Sequence, residues 1–370
     1  MKNKYLSLGL LAFGMFFAQT SYGQTEAEKQ KIVSQYDTQA LETLENKFTT
    51  SQVQEKQKAI QMALQNGWDI RKTLADGTLI ELQKVTPDGR PIYYTTFNVD
   101  AAKSTRTDHL NNGGSLGLNL MGQNMTAHVW DGGIARASHQ EYDGAGGTNR
   151  YSVGDGSSSL NFHAAHVTGT IMASGVDANA KGMAPHADAI GHDWNSDKAE
   201  ATSATLNGML VSNHSYGFRG DLVPDNYFGG YIDESRDWDE ILFNAPNYLM
   251  VVAAGNDGNQ NSYNGSPLDG NSSYDKLTGH STSKNNLVVA NAQDANIDGS
   301  GNLVSVTINS GSSEGPTDDY RIKPDITGNG TGVYSSYHNS DTAYNSISGT
   351  SMASPNVAGS LLLLQQHHKI

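Results

Sequence analysis

The rhythm of apolar and polar positions changes along the chain, and each change predicts a different element. Residues 5–18 form an apolar run behind Lys2 and Lys4, closed by Ser21-Tyr22-Gly23. The run is too short to span a bilayer, and its basic start and small-residue end predict a secretory signal over 1–23, cut after Gly23. Residues 25–48 are rich in Gln, Glu and Lys and predict a solvated helix. Ser51 and Gln54 offer a capping box for a second helix, with Val53, Ile60 and Leu64 on one face and Gly67 as its stop. The turns Asp76-Gly77 and Pro87-Asp88-Gly89 then frame strands over 78–85 and 92–96. Together these segments predict a small α+β unit over 24–104.

From residue 105 onward the pattern is of short buried strands joined by loops rich in Gly, Asn and Ser. That suits an α/β scaffold with a cleft, and no internal repeat is visible. A β-prone run, Thr126-Ala127-His128-Val129-Trp130, ends in Asp131 and two glycines. In open α/β sheets function collects at the carboxyl ends of strands. His163 opens a helical segment whose next residues are small, so its ring is free to face a cleft. The apolar run 249–254 delivers Asn256 at the end of a buried strand. Last comes Ser348-Gly349-Thr350-Ser351-Met352-Ala353-Ser354-Pro355, followed by the apolar run 357–364. Gly349 permits a tight turn, and Ser351 then falls at a helix N-terminus, where free N–H groups and the dipole favour negative charge.

These motifs resemble the subtilisin-like serine peptidases over residues 105–370. The order Asp131, His163, Ser351 is that of subtilisin. Similar blocks stand at Gly182-Met183-Ala184-Pro185, at Gly315-Pro316 and at Lys323-Pro324-Asp325. The resemblance implies a doubly wound, mostly parallel sheet with helices on both faces. It implies a secreted serine endopeptidase acting on protein or peptide as a monomer: Ser351 the nucleophile, His163 the base, Asp131 the group that orients it, and Asn256 the oxyanion donor. The chemistry needs these types, because a serine hydroxyl attacks an amide only when a base takes its proton. Ser215-Tyr216-Gly217 resembles the strand that pairs with extended substrate, and Ala254 and Gly255 would line the first specificity pocket. Unit 24–104 would be a pro-segment, covering the cleft and cut away between Asn98 and Asp108.

Two departures stand out. His163-Ala164-Ala165-His166 replaces the usual His-Gly-Thr-His, and Asn356 replaces the usual His after the motif proline. His166 is expected to pack; a metal reading of His163 with His166 lacks the glutamate of His-Glu-x-x-His. Catalysis needs no cofactor. Structural calcium is common in the family, and oxygen ligands lie between Asp257 and Asp275, without an Asp-x-Asp-x-Asp-Gly loop. Because little follows Ser351, the catalytic region is expected to be incomplete at its C-terminal end. The rival readings are a catalytically silent scaffold for binding or adhesion and an esterase using the same triad.

Composition narrows the field. The net charge of −14 argues against nucleic-acid or anionic-membrane partners. No cysteine is present, which excludes thiol catalysis and disulfides; a large core tolerates export without them.

Overall fold

A computed structural model describes residues 24–74, 79–96, 105–143 and 149–369. The expected signal segment, the Asp76-Gly77 turn and most of the expected processing stretch lie outside the described residues.

Thr25 caps α1 (Glu26–Val33) by accepting from Glu28 N, while the Glu28 carboxylate takes the Thr25 N–H. Asp37 caps α2 (Thr38–Asn66), and Gly67 ends it in the left-handed region at φ 71°. The helix break therefore falls at 34–37, and Ser51 lies inside α2. Asp37 supplies a cap, and no Gly or Pro interrupts the helix-forming run behind it. The buried stripe is Leu41, Leu44, Phe48, Ala59 and Ala63, while Val53 and Leu64 are exposed. Then come β1 (Arg71–Thr73), β2 (Leu79–Val85) and β3 (Pro91–Thr96), an antiparallel set.

The scaffold begins with β4 (Thr126–Asp131), a short α3 (Gln140–Asp143), β5 (Tyr151–Val153), α4 (Phe162–Met172) and β6 (Asp188–Asp193). It continues with α5 (Asp197–Leu206), β7 (Val211–His214), β8 (Tyr216–Phe218), α6 (Asp233–Asn244), β9 (Leu249–Ala253) and β10 (Leu287–Ala292). The small pair β11 (Asn296–Ile297) and β12 (Leu303–Ser305) precedes β13 (Ile326–Asn329), β14 (Val333–Ser336), β15 (Tyr344–Ile347) and α7 (Thr350–Lys369). Seven strands form one parallel sheet in the order β13-β10-β9-β7-β4-β6-β5.

From β4 the chain goes first to β5 and β6 on one side, then to β7, β9, β10 and β13 on the other. That reversal puts a crevice at the carboxyl end of β4, where such sheets bind ligands. Side-chain alternation sorts the core in two. Ala127, Val129, Val211 and Val251 pack with Val167 and Ile171 of α4 and Met352 and Val357 of α7. Trp130, Met250 and Val252 pack on the opposite face with Trp238 of α6. Leu41, Leu44, Phe48 and Tyr94 of the N-terminal unit belong to this second core. No described helix is long and apolar enough to cross a membrane.

β8 stands outside the large sheet. It pairs antiparallel with β3, Tyr94 facing Phe218, Thr95 facing Gly217 and Thr96 facing Tyr216. The N-terminal sheet thus gains a fourth strand from the scaffold.

Candidate active site

Asp131 is the last residue of β4, and its carboxylate accepts from Gly132 N at 2.7 Å. Asn161 caps α4 and accepts from His163 N at 2.7 Å, which sets His163 in the first turn. His163 Nδ1 lies 2.9 and 2.8 Å from Asp131 Oδ1 and Oδ2, and both side chains are buried. An imidazole that donates from Nδ1 to a carboxylate keeps its basic lone pair on Nε2.

Gly349 adopts φ 157°, and Ser351 follows in the first turn of α7. Helices α4 and α7 pack on each other, so His163 and Ser351 come from the opening turns of neighbouring helices. Ser351 is fully buried; its Oγ donates to the Ser215 carbonyl at 2.7 Å. First-turn N–H groups have no acceptor within their helix, which leaves the Ser351 N–H suited to an anion.

Asn256 lies just beyond β9. Its Oδ1 accepts from Thr350 N at 3.0 Å and from Thr350 Oγ1 at 3.1 Å, while Thr350 Oγ1 accepts from Gly255 N at 3.1 Å. With its oxygen held in this way, Asn256 has Nδ2 left as a donor beside the N-terminus of α7. Ser215 precedes β8, and Tyr216 and Gly217 lie within it. Ala254 is buried. Gly255 sits at φ 109°, where a Cβ would come 2.8 Å from Ser313 Oγ, so that wall admits no side chain. His166 is buried with Nε2 on the Val333 carbonyl at 2.9 Å, and burial pushes its pKa down to about 3; it packs rather than binds. Asn356 is buried against Met183 Sδ.

Sequence reading missed Thr350, whose place inside the octet was the only clue. Asp257, read from the sequence only as an oxygen ligand for calcium, stands next to the Asn256 amide, and its carboxyl is pushed up to about 6 by burial and by Asp221.

The seam between the N-terminal unit and the scaffold is charged. Lys84 reaches Glu234, Lys47 reaches Asp237 at 3.1 Å, Gln52 donates to Asp197 at 2.8 Å, and Arg71 donates to the Gly132 carbonyl at 2.7 Å. Burial pushes the Glu234 carboxyl up, but Lys198 and Lys84 outweigh it and hold it well below the usual range. Asp197 is raised to about 6 by burial and by Glu234.

The family model described as "Subtilase family" matches residues 89–370. The chain belongs to the subtilase family. This subtilase is 30% identical over 248 residues to an alkaline proteinase of Hapsidospora chrysogena, covering 66% of this chain and 52% of that protein. It is 30% identical over 248 residues to a cuticle-degrading serine protease of Orbilia oligospora, covering 64% and 49%. The chain therefore spans about half the length of the curated relatives it matches. Among solved structures, the CspB protease of Clostridium perfringens superposes with a TM-score of 0.56 at 14% identity, over 72% of this chain and 88% of that one, a likeness of fold.

Proposed function

We propose that the chain is a secreted serine endopeptidase held as a zymogen by residues 24–104. The observation that carries this reading is the double approach of His163 Nδ1 to the Asp131 carboxylate, on a helix packed against the one that opens with Ser351. Ser351 Oγ attacks the scissile carbonyl carbon while its proton passes to His163 Nε2. The hydroxyl turns from the Ser215 carbonyl to the imidazole for this step. Asp131 stabilises the imidazolium. The oxyanion is received by Asn256 Nδ2 and the Ser351 N–H. Collapse breaks the C–N bond, His163 protonates the leaving amine, and water hydrolyses the ester by the same route in reverse.

Substrate is held as an added strand along Ser215-Tyr216-Gly217, with Ala254 and Gly255 walling the first pocket. The pairing of β3 with Tyr216 and Gly217 supports the pro-segment reading, since that strand edge cannot serve two peptides at once. Full burial of Asp131, His163 and Ser351 agrees with it, because substrate reaches them only after something moves. A sulfonyl fluoride should label Ser351 once residues 24–104 have left, with labelling abolished in Ser351→Ala, and the labelled form should have digested casein in preference to short-chain esters. A processed protein that takes no label and leaves casein intact overturns the reading.

A further inference from the structure

The N-terminal unit sets a guanidinium beside the triad. Arg71 of β1 donates from Nη2 to the Gly132 carbonyl at 2.7 Å, and its Nη1 lies 3.6 Å from Asp193 Oδ2. Gly132 follows Asp131 directly, and the Asp131 carbonyl accepts from Trp194 N at 2.8 Å, which fastens residues 193–195 to the end of β4. Arg71 thus spans a carbonyl and a carboxylate of the scaffold, one residue from the group that orients His163.

The scaffold side of this contact consists of acceptors and an aromatic wall. Asp193 is 8% exposed, and burial and then Glu81 push its carboxyl up. Its Oδ1 is held by Asn195 N at 3.1 Å and by Asn195 Nδ2, which leaves Oδ2 to Arg71. Asn195 Oδ1 is itself buried with no hydrogen-bond partner among the described residues. A Cβ on Gly132 would lie 2.6 Å from Leu79 Cδ2 and 3.0 Å from Trp194 Cη2, so the N-terminal unit and the scaffold both close on that residue. Glu81 pairs with Arg71 and accepts from Trp194 Nε1 at 2.9 Å. Arg71, Leu79 and Glu81 all belong to residues 24–104. Their departure removes the cation, the carboxylate that accompanies it and the cover over Trp194 together. A carbonyl, a carboxylate, a spare amide oxygen and an indole stay behind. A carboxylate walled by an indole gains less from water than an open one, so a cation that fits the seat is favoured.

We propose that, once residues 24–104 have left, the seat of Arg71 receives an arginine side chain of the substrate, with Asp193 and the Gly132 carbonyl selecting it near the scissile bond. This rests on the serine endopeptidase reading and adds a substrate class to it. Two separate acceptors suit a planar fork, which donates to both at once, whereas the ammonium of lysine offers a single nitrogen. Trp194 supplies a wall for the flat group. The net charge of −14 draws cationic peptides towards the molecule.

The test uses the processed wild-type protein and quenched fluorescent peptides carrying Arg, citrulline or Ala at each position in turn across the cut bond. At one position Arg should raise kcat/KM about tenfold or more over Ala, the scale of a charge-assisted hydrogen bond. Citrulline, of the same length but uncharged, should behave nearly like Ala there. In processed Asp193→Asn the Arg-to-Ala ratio should fall close to one; the ratio is taken within each protein, so a change in overall activity drops out. A wild type that takes a sulfonyl fluoride and cuts Arg and Ala peptides alike overturns this inference alone. So does one that treats citrulline like Arg, or an Asp193→Asn protein that keeps the preference. A processed protein that takes no label and cuts no peptide overturns the endopeptidase reading, and this subsite with it.

Discussion

Ser215 and Ser351 are joined by two hydrogen bonds in opposite senses: Ser215 Oγ donates to the Ser351 carbonyl at 2.8 Å, and Ser351 Oγ donates to the Ser215 carbonyl at 2.7 Å. The first of these has a cause four residues along. Pro355 has no N–H, so the Ser351 carbonyl loses the partner it would have inside α7. Ser215 supplies the donor instead, and its own Oγ is fixed by Asn213 Nδ2 at 2.8 Å. Asn213 in turn accepts from Ser354 Oγ at 2.7 Å. The start of α7 is thus tied to the strand that would hold substrate. Ser215→Ala should lower kcat about tenfold with a smaller change in KM, the scale of one ordinary hydrogen bond. Steady-state kinetics on a peptide substrate checks this.

Asn256 has a separable role. Asn256→Ala should reduce kcat about 10²–10³-fold, the scale found for such a donor in subtilisin itself, with KM little changed. Sulfonyl fluoride labelling of Ser351 should persist, which distinguishes a lost oxyanion donor from a collapsed site.

N-terminal sequencing of the secreted product tests the zymogen reading. The wild type should begin near residue 105, and Ser351→Ala should keep its N-terminal unit. Lys84→Met should hasten processing about tenfold, since it removes a buried cross-unit pair yet leaves Glu234 with Lys198 at 3.3 Å. A gel time course reads the difference. Identical N-termini in wild type and Ser351→Ala would contradict self-processing.

Glu200 gives a pH prediction. Burial pushes its carboxyl up from 4.5 to about 8, with Trp130 Nε1 donating to it at 2.9 Å. His192 Nδ1, 3.6 Å away, is pushed down by burial to about 4, so at neutral pH this contact is not an ion pair. Folded Glu200 keeps a proton that the unfolded chain has released, so its stabilisation is complete below about 4.5 and is lost as pH rises to 8. Between pH 6.5 and 8, above the titration of His192, stability of the Ser351→Ala protein should fall by up to about 1.4 kcal/mol per unit. Glu200→Gln should flatten that slope in urea unfolding.

Much of the site was legible because its chemistry is local. A nucleophile at a helix start needs a turn-forming glycine before it and small residues after it, and the octet around Ser351 spells both. Asp131 and Asn256 were legible as strand ends, where apolar runs stop at a polar side chain. The short β1 escaped notice because Arg71, Lys72 and Thr73 are all exposed and carry no apolar alternation. The break at 34–37 was misplaced because Asp37 and Ser51 both look like caps, and only docking decides between them. The pairing of β3 with β8 could not be foreseen, since nothing in either strand reports a register with a partner so distant along the chain. Arg71, Gly132 and Asp193 pose the same difficulty: each is ordinary alone, and only folding brings them together.

Phe48, Leu41 and Tyr94 share one apolar interior with Trp194, Phe218 and Trp238 of the scaffold. Shedding the leading segment would therefore wet a greasy face as well as open a groove. The liberated scaffold would be stickier than its precursor, prone to clump or to seek another oily surface. Maturation would cost it colloidal ease at the moment it gained a vacant strand edge.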